Sequence, residues 1–283
     1  MTKLDRVLGS LILGEGPVWN PERSELSVVD ILGKAIYRIH RSESGWTVTS
    51  TIHTDGDVGA ALPVGGDRFL SCESGGIFEV SEGYRSLVTA LPVTTPDFRC
   101  NDAKLSPDGQ LYVGIMDYEA SEGAASLWRI TRTESPHMLL DGLTIPNGMD
   151  WWEDEFWFVN GPTPEVRCYR LEDKRLVDTG RAVPVDGVPD GVSIDAQGRL
   201  WVAVWGEGRV DCFERTGEKV TSVSVPAPQS TSIAWCGPTL GTLAVTSASY
   251  GYTDQERAEN PEAGAVFFCD LDYSGRLSPT RFA

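Results

Sequence analysis

What this chain lacks narrows its class before any motif is found. No stretch approaches the ~20 consecutive apolar residues of a membrane span, so no membrane partner is expected. The opening L-D-R-V-L-G-S-L-I-L at 4–13 has its apolar run broken by Gly9 and Ser10, and no small-residue cleavage site follows, which argues against a signal peptide. Basic residues are few, 24 Lys and Arg against 41 Asp and Glu. They form no cluster that would track phosphates, which disfavours nucleic acid as a partner. The three histidines, His40, His53 and His137, have no metal-ligand spacing and read as surface or structural residues. There is no Cys-x-x-Cys pair, no HExxH, no G-x-S-x-G elbow and no regular phosphate-binding glycine loop. The six cysteines lie far apart, and a chain of 283 residues buries enough surface to do without disulfides, so they read as reduced, buried thiols. A cytoplasmic protein is the simplest fit.

Helical periodicity is also scarce. Short strand-like runs recur instead, punctuated by Gly, Pro, Asn and Asp, which points to an all-β fold. One unit, an apolar strand, a turn and a second apolar strand, repeats along the whole chain. It is clearest in G-V-S-I-D-A-Q-G-R-L-W-V-A-V at 191–204, and recurs from Gly16, Val58, Asp102, Gly148 and Ser232. Equivalent turn residues are Pro21, Pro63, Pro107, Glu153, Ala196 and Gly237, spaced by 42, 44, 46, 43 and 41 residues. That period matches propeller blades. Several copies are followed by a third strand, among them A-I-Y-R-I, G-I-F-E-V and S-L-W-R-I. Six four-stranded blades consume the chain, so a single six-bladed β-propeller domain over 1–283 is predicted, in preference to a β-sandwich or two stacked all-β domains. An N-terminal strand near Val7 to Ile12 is expected to close the last blade beside Val266 to Leu271, removing an open sheet edge. Most tryptophans, including Trp128, Trp157 and Trp201, sit in strand patterns and read as blade packing. Trp205 stands where it could reach the channel mouth.

The register picks out one polar position per blade. Six residues before each turn anchor stand Glu15, Asp57, Asn101, Asn147, Asp190 and Thr231. Each precedes the strand that lines the central channel of a propeller, so the six side chains should converge at its mouth. Asp and Asn before a strand also make Asx-turns, but five carboxylate or carboxamide side chains in register favour a ring. Such a set offers hard oxygen ligands and no thiolate, which suits Ca²⁺, Mg²⁺ or Mn²⁺. Asp57 and Thr231 are expected to line the channel or touch water. Asp102 is equally suited to support the site or to hold a turn.

Four ordered segments resemble a known family: L-G-E-G-P-V-W at 13–19, R-C-N-D at 99–102 with S-P-D-G-Q-L-Y-V-G-I-M following, I-P-N-G-M at 145–149, and P-D-G-V-S-I-D-A-Q-G-R-L-W-V-A at 189–203. They are similar to the gluconolactonase family, which includes regucalcin (the senescence marker protein) and the luciferin-regenerating enzymes. The resemblance implies a six-bladed propeller that binds one divalent metal and hydrolyses sugar lactones. It places metal ligation on Glu15, Asn147 and Asp190, and substrate contacts on Arg99, Asn101 and Glu119. Ca²⁺ is the first expectation for the ion, with Mn²⁺, Mg²⁺ or Zn²⁺ as alternatives. The chain departs from the family pattern at Ala103, where a Gly is usual, at Ser106, where an Asp is usual, and at Asn160-Gly161, where Asp-Ser is common. Asn160 is expected near the channel mouth and bears on the substrate.

The function expected on these grounds is metal-dependent opening of a small sugar lactone. The metal polarises the carbonyl, Asp190 is the general base and Arg99 holds substrate oxygens through its planar fork. Two alternatives remain. The same propeller could hydrolyse phosphotriesters or other esters, or it could be a non-catalytic calcium- or protein-binding propeller. Neither oligomeric state nor the individual lactone is readable from the sequence.

Overall fold

The computed structural model describes residues 4–43, 45–93 and 97–283. Its strands form six antiparallel sheets of four, arranged as the blades of a β-propeller. The innermost strands of blades 1 to 6 are Gly14–Asn20, Val58–Pro63, Phe98–Leu105, Ile145–Trp152, Val188–Ile194 and Ser230–Cys236. Each touches the innermost strands of its two neighbours, and blade 6 meets blade 1. These strands surround the channel.

The core follows from the period-2 alternation of strands stacked face to face. Leu111, Val113 and Ile115 of blade 3 pack with Leu62, Leu70 and Cys72 of blade 2. Their neighbours Tyr112 and Met116 point the opposite way, against Phe156 and Phe158 of blade 4. Trp157 and Val159 then face Val202 and Val204 of blade 5. Among the described residues the buried apolar side chains thus fall into six layers, one between each pair of adjacent blades. A strand covered on both faces is apolar at every position, which explains runs such as L-Y-V-G-I-M and L-W-V-A-V. The outermost strands alternate instead, as Gly45–His53 does with its largely exposed pattern.

Closure differs in detail from the expected span. The fourth strand of blade 6 is Asp5–Val7, with Val7 opposite Val266 and Asp5 opposite Phe268. It ends before Ile12 because Leu8 and Ser10 adopt positive φ angles of 59° and 65°, which no extended strand accommodates. Leu13 resumes pairing only as an isolated bridge to Ala248. The chain after the last strand, residues 271–283, has no regular secondary structure and runs across the face opposite the channel mouth. Tyr273 packs against Trp201 of blade 5, Arg276 against Trp152 of blade 4, and Phe282 enters the layer between blades 2 and 3. All six cysteines are free and buried. Among the described residues no helix is long and apolar enough to cross a membrane.

Candidate functional site

In every blade the pairing between the first two strands slips at the same place. The register breaks between Glu15 and Val18, Val58 and Ala60, Cys100 and Ala103, Pro146 and Met149, Pro189 and Val192, and Ser230 and Ile233. A β-bulge leaves a residue out of the ladder and re-aims its side chain. Four of the ring residues, Asn101, Asn147, Asp190 and Thr231, lie within these bulges, while Glu15 is the last paired residue before its own and Asp57 directly precedes its own. The bulges therefore turn what would be a blade-facing side chain towards the axis. Close contact between inner strands completes the ring. A Cβ at Gly191 would lie 2.2 Å from Ser232 Oγ, and one at Gly148 would lie 2.3 Å from the Val192 amide nitrogen. The glycines of P-N-G and P-D-G are thus required by backbone proximity around a narrow channel.

The bulges bring Glu15, Arg99, Asn101, Asn147 and Asp190 to the floor of one cavity of about 560 Å³, and Glu119 to its edge. The five floor residues are between 5% and 8% exposed, whereas Glu119 is open to solvent. A hydrogen-bonded chain fixes them. Arg99 donates from Nη1 to Asn101 Oδ1 at 2.7 Å and to the Cys100 carbonyl at 3.1 Å. Asn101 Nδ2 donates to Asn147 Oδ1 at 3.2 Å and to the Pro146 carbonyl at 3.0 Å. Asn147 in turn hydrogen-bonds the Asp190 carboxylate. One partner orients the next across blades 3, 4 and 5.

The electrostatics are uncompensated. Burial, then repulsion from Asp190 and Asp102, pushes the Glu15 carboxyl well above the usual carboxylate range, outweighing the Gly16 amide and Arg99. Burial and Asp102 likewise push Asp190 up, against the pull of Asn147. Among the described residues Asp190 Oδ1 is buried without a hydrogen-bond partner, a state that costs roughly 1–3 kcal/mol for a polar atom. Among the described residues no three His, Cys, Asp or Glu side chains converge as a metal site. The ring offers two carboxylates and the carboxamide of Asn147. An orphaned carboxylate oxygen facing a second carboxylate in an all-oxygen set is what a hard divalent cation neutralises. Glu15, Asn147 and Asp190 fit such an ion. Arg99 is itself buried, and no carboxylate lies within ion-pair distance of it among the described residues.

The remaining members of the register serve other ends. Asp57 accepts a 2.7 Å hydrogen bond from Tyr118 Oη and fixes that ring 5.9 Å from the Arg99 guanidinium. It lies behind the cavity wall. Thr231 donates to the Gly14 carbonyl and joins blade 6 to blade 1. Asp102 lies one residue beyond the floor, in a second, smaller space of about 40 Å³ further along the channel, where it also accepts a bond from the Ala103 amide. Asn160 does not line the cavity. Its side chain accepts the Thr144 and Ile145 amides, so it shapes the loop while Gly161 contributes to the wall. Ser106 Oγ accepts the Gln110 amide, the turn hydrogen bond that Asp195 makes with the Arg199 amide in blade 5. Trp205 does line the mouth. His40 pairs with Glu25 and His137 with the Lys174 carbonyl, both away from the site. Apart from Trp205, the sequence reading missed the apolar half of the cavity, although Leu13, Ile145 and Val188 each stand two residues before a ring residue, a register that could have found them.

Comparison with known proteins bears on this arrangement. The family model described as the SMP-30/gluconolactonase/LRE-like region matches residues 13–249. The chain belongs to this SMP-30/gluconolactonase/LRE-like family. The Bacillus subtilis protein YvrE, whose name assigns it provisionally to the sugar lactone lactonases, is 31% identical over 96% of this chain and 95% of its own. Pentonolactonase XacC of Haloferax volcanii is 30% identical over 93% of this chain and 92% of its own. Regucalcin of Agrobacterium tumefaciens, a calcium-binding protein, superposes with a TM-score of 0.89 at 27% identity, covering 98% of this chain and 97% of that one. The matched SMP-30/gluconolactonase/LRE-like region begins at Leu13 and so takes in all six ring positions, while the tail across the opposite face lies outside it.

Proposed function

We propose that this protein hydrolyses small sugar lactones with one divalent cation, Ca²⁺ first, held by Glu15, Asn147 and Asp190. The observation that carries the reading is the buried Oδ1 of Asp190, unpartnered among the described residues, on the floor of a ligand-sized cavity beside a buried arginine that has no carboxylate within ion-pair distance among them. The names of YvrE and pentonolactonase XacC support lactones as the substrate class, and that of the Agrobacterium regucalcin supports calcium. When bound, the cation supplies Lewis-acid polarisation of the carbonyl and neutralises the two carboxylates.

The chain's own residues supply the rest. Asp190 Oδ1, free of other partners, takes the proton from the attacking water as general base. The Arg99–Asn101–Asn147 chain keeps Asp190 and its neighbours in one orientation, so little reorganisation is needed as charge develops. Arg99 spends one of its nitrogens on the protein, and the rest of its fork can donate to the ring oxygen or a hydroxyl of the lactone. Asn101 completes the polar floor. Glu119 is exposed at the mouth and makes no hydrogen bond or ion pair among the described residues, which leaves both its oxygens for substrate hydroxyls.

The test is proton release from a panel of aldonolactones by chelator-treated protein to which Ca²⁺, Mg²⁺, Mn²⁺ or Zn²⁺ is returned singly. Turnover should return with the ion, and Asp190→Ala should lower kcat by about 10³-fold. Equal turnover in chelator, or in the Asp190→Ala protein, would overturn the assignment.

A further inference from the structure

The cavity is polar on one side and apolar on the other. Arg99, Asn101 and Glu119 all belong to blade 3. From blade 4 round to blade 1 the wall is made by Ile145, Val188, Trp205, Tyr250, Leu13 and Leu32. These positions share no polar function, and none is a ring residue. Two exposed side chains stand on this arc, Val188 at 38% and Tyr250 at 48%, and Tyr118 of blade 3 lines the same cavity at 41%. Exposed apolar surface gathered at the rim of a concave, functional cavity is a binding feature more often than a packing one. Trp205 and Leu32 are anchored from behind by the layer between blades 1 and 2, and the Tyr250 carbonyl is held by Gln229 Nε2 at 2.9 Å. The wall is a supported surface.

A fully hydroxylated sugar lactone leaves this arc badly used. With its carbonyl on the floor and one edge against Arg99 and Glu119, most of its opposite hydroxyls would face Leu13, Leu32, Ile145 and Val188, which offer no hydrogen bond, while Trp205 and Tyr250 offer one polar atom each, and desolvating the hydroxyls left over is unfavourable. We infer that the preferred substrate is a two-faced lactone, with a polar edge that meets blade 3 and a hydrocarbon arm of several carbons that lies along the arc from Ile145 to Leu32. This rests on the lactone-hydrolase reading and narrows its substrate class.

The experiment uses the calcium-loaded protein and a series of γ-lactones whose unbranched arm grows from methyl to hexyl, beside a hexonolactone and a pentonolactone. kcat/KM should rise two- to fourfold per methylene over the first several carbons, as burial of each group against an apolar wall implies, and should exceed that for both aldonolactones by mid-series. The double variant Val188→Thr, Tyr250→Ser changes only exposed side chains and should at least halve the slope of log kcat/KM against arm length. Calorimetric binding of γ-lactams with the same arms gives a readout independent of turnover, and affinity should climb with the same slope. Aldonolactones turned over with no gain along the alkyl series would overturn this inference and leave the hydrolase reading standing. Absence of turnover for every lactone would sink the hydrolase reading, and the lactam series would still decide the wall: rising affinity supports it and flat affinity overturns it.

Discussion

Glu15 and Asp190 are both buried, and desolvation, with repulsion from Asp190 and Asp102 on the one and from Asp102 on the other, outweighs the help that each receives, from the Gly16 amide and Arg99 for Glu15 and from Asn147 for Asp190. Replacing Asp190 by its isosteric amide should therefore act in opposite directions with and without a cation. In chelator, Asp190→Asn removes one buried like charge and should raise stability by about 1–3 kcal/mol. In saturating Ca²⁺ the same change should cost a ligand of the proposed cation site, and any thermal shift produced by the ion should shrink or vanish. Melting curves of both proteins in the two conditions check this. Asp102 gives a pH-dependent counterpart. Burial raises its carboxyl to about 6, against the pull of Lys104 and the Ala103 amide. A carboxyl raised in the folded state stabilises fully below its unfolded value near 4, and that contribution is lost as pH rises through about 6. Asp102→Asn should accordingly make the chelator-treated protein less sensitive to pH between 4 and 7, by about 3 kcal/mol over the window. Urea midpoints at a series of pH values read it. An unchanged slope would mean that Asp102 is ionised throughout.

At the scale of single elements, the ring depends on the bulge that begins each inner strand. Side chains of a regular strand alternate between two blade interfaces, so without the slip neither Asp190 nor Asn147 would reach the axis. Gly191 marks the place where the inner strands of blades 5 and 6 approach most tightly. Its added Cβ would strike Ser232 at Oγ, Cα and Cβ, all within 2.6 Å. Gly191→Ala should cost about 1–3 kcal/mol through overpacking and should weaken Ca²⁺ binding as well, because relief requires the Asp190 bulge to move. A control at Gly66, where no atom lies within 4 Å of an added Cβ, should affect stability only through its positive φ of 61° and leave calcium affinity alone. Chemical denaturation paired with calcium titration separates the two effects.

Across the whole molecule, closure is achieved twice. The strand Asp5–Val7 completes blade 6 at its outer edge. Residues 271–283 then cross the far face: Gly275 bonds blade 6 through the Leu240 carbonyl, Ser274 bonds blade 5 at Ala196, and Ala283 bonds blade 3 at Gly109 and Arg132. Phe282, 6% exposed, seats the end of this strap in the layer between blades 2 and 3. Because the strap joins blades distant in sequence, its loss should loosen the ring as a unit. Phe282→Ala should cost about 3–5 kcal/mol, lower the urea midpoint in one cooperative transition, and leave the ring residues at the opposite mouth in place, as judged by an unchanged calcium affinity. A separate early transition would show instead that the strap is an independent attachment.

Several of these features could be read from the chain alone. The period of 41–46 residues set the blade number, because every blade must span the same radius, and a constant offset from each turn located one polar residue per blade. The four family motifs attached roles to Glu15, Arg99, Asn101, Asn147 and Asp190, and the cavity floor holds all five. Both signals are local, running along one strand and its turn. The tertiary structure decided what depends on neighbours. Asp57 and Thr231 share the register, yet one turns to Tyr118 and the other to Gly14, because each met a partner on another blade before it met the axis. The end of the closing strand was set by backbone angles at Leu8 and Ser10 that no periodicity encodes. The apolar arc comes from four blades: Leu13, Ile145 and Val188 share one offset from the ring, but Leu32, Trp205 and Tyr250 stand at unrelated positions and are brought to the same mouth by ring closure. Repetition along the chain made the scaffold and the polar ring legible, while contacts between blades gave the cavity its second face.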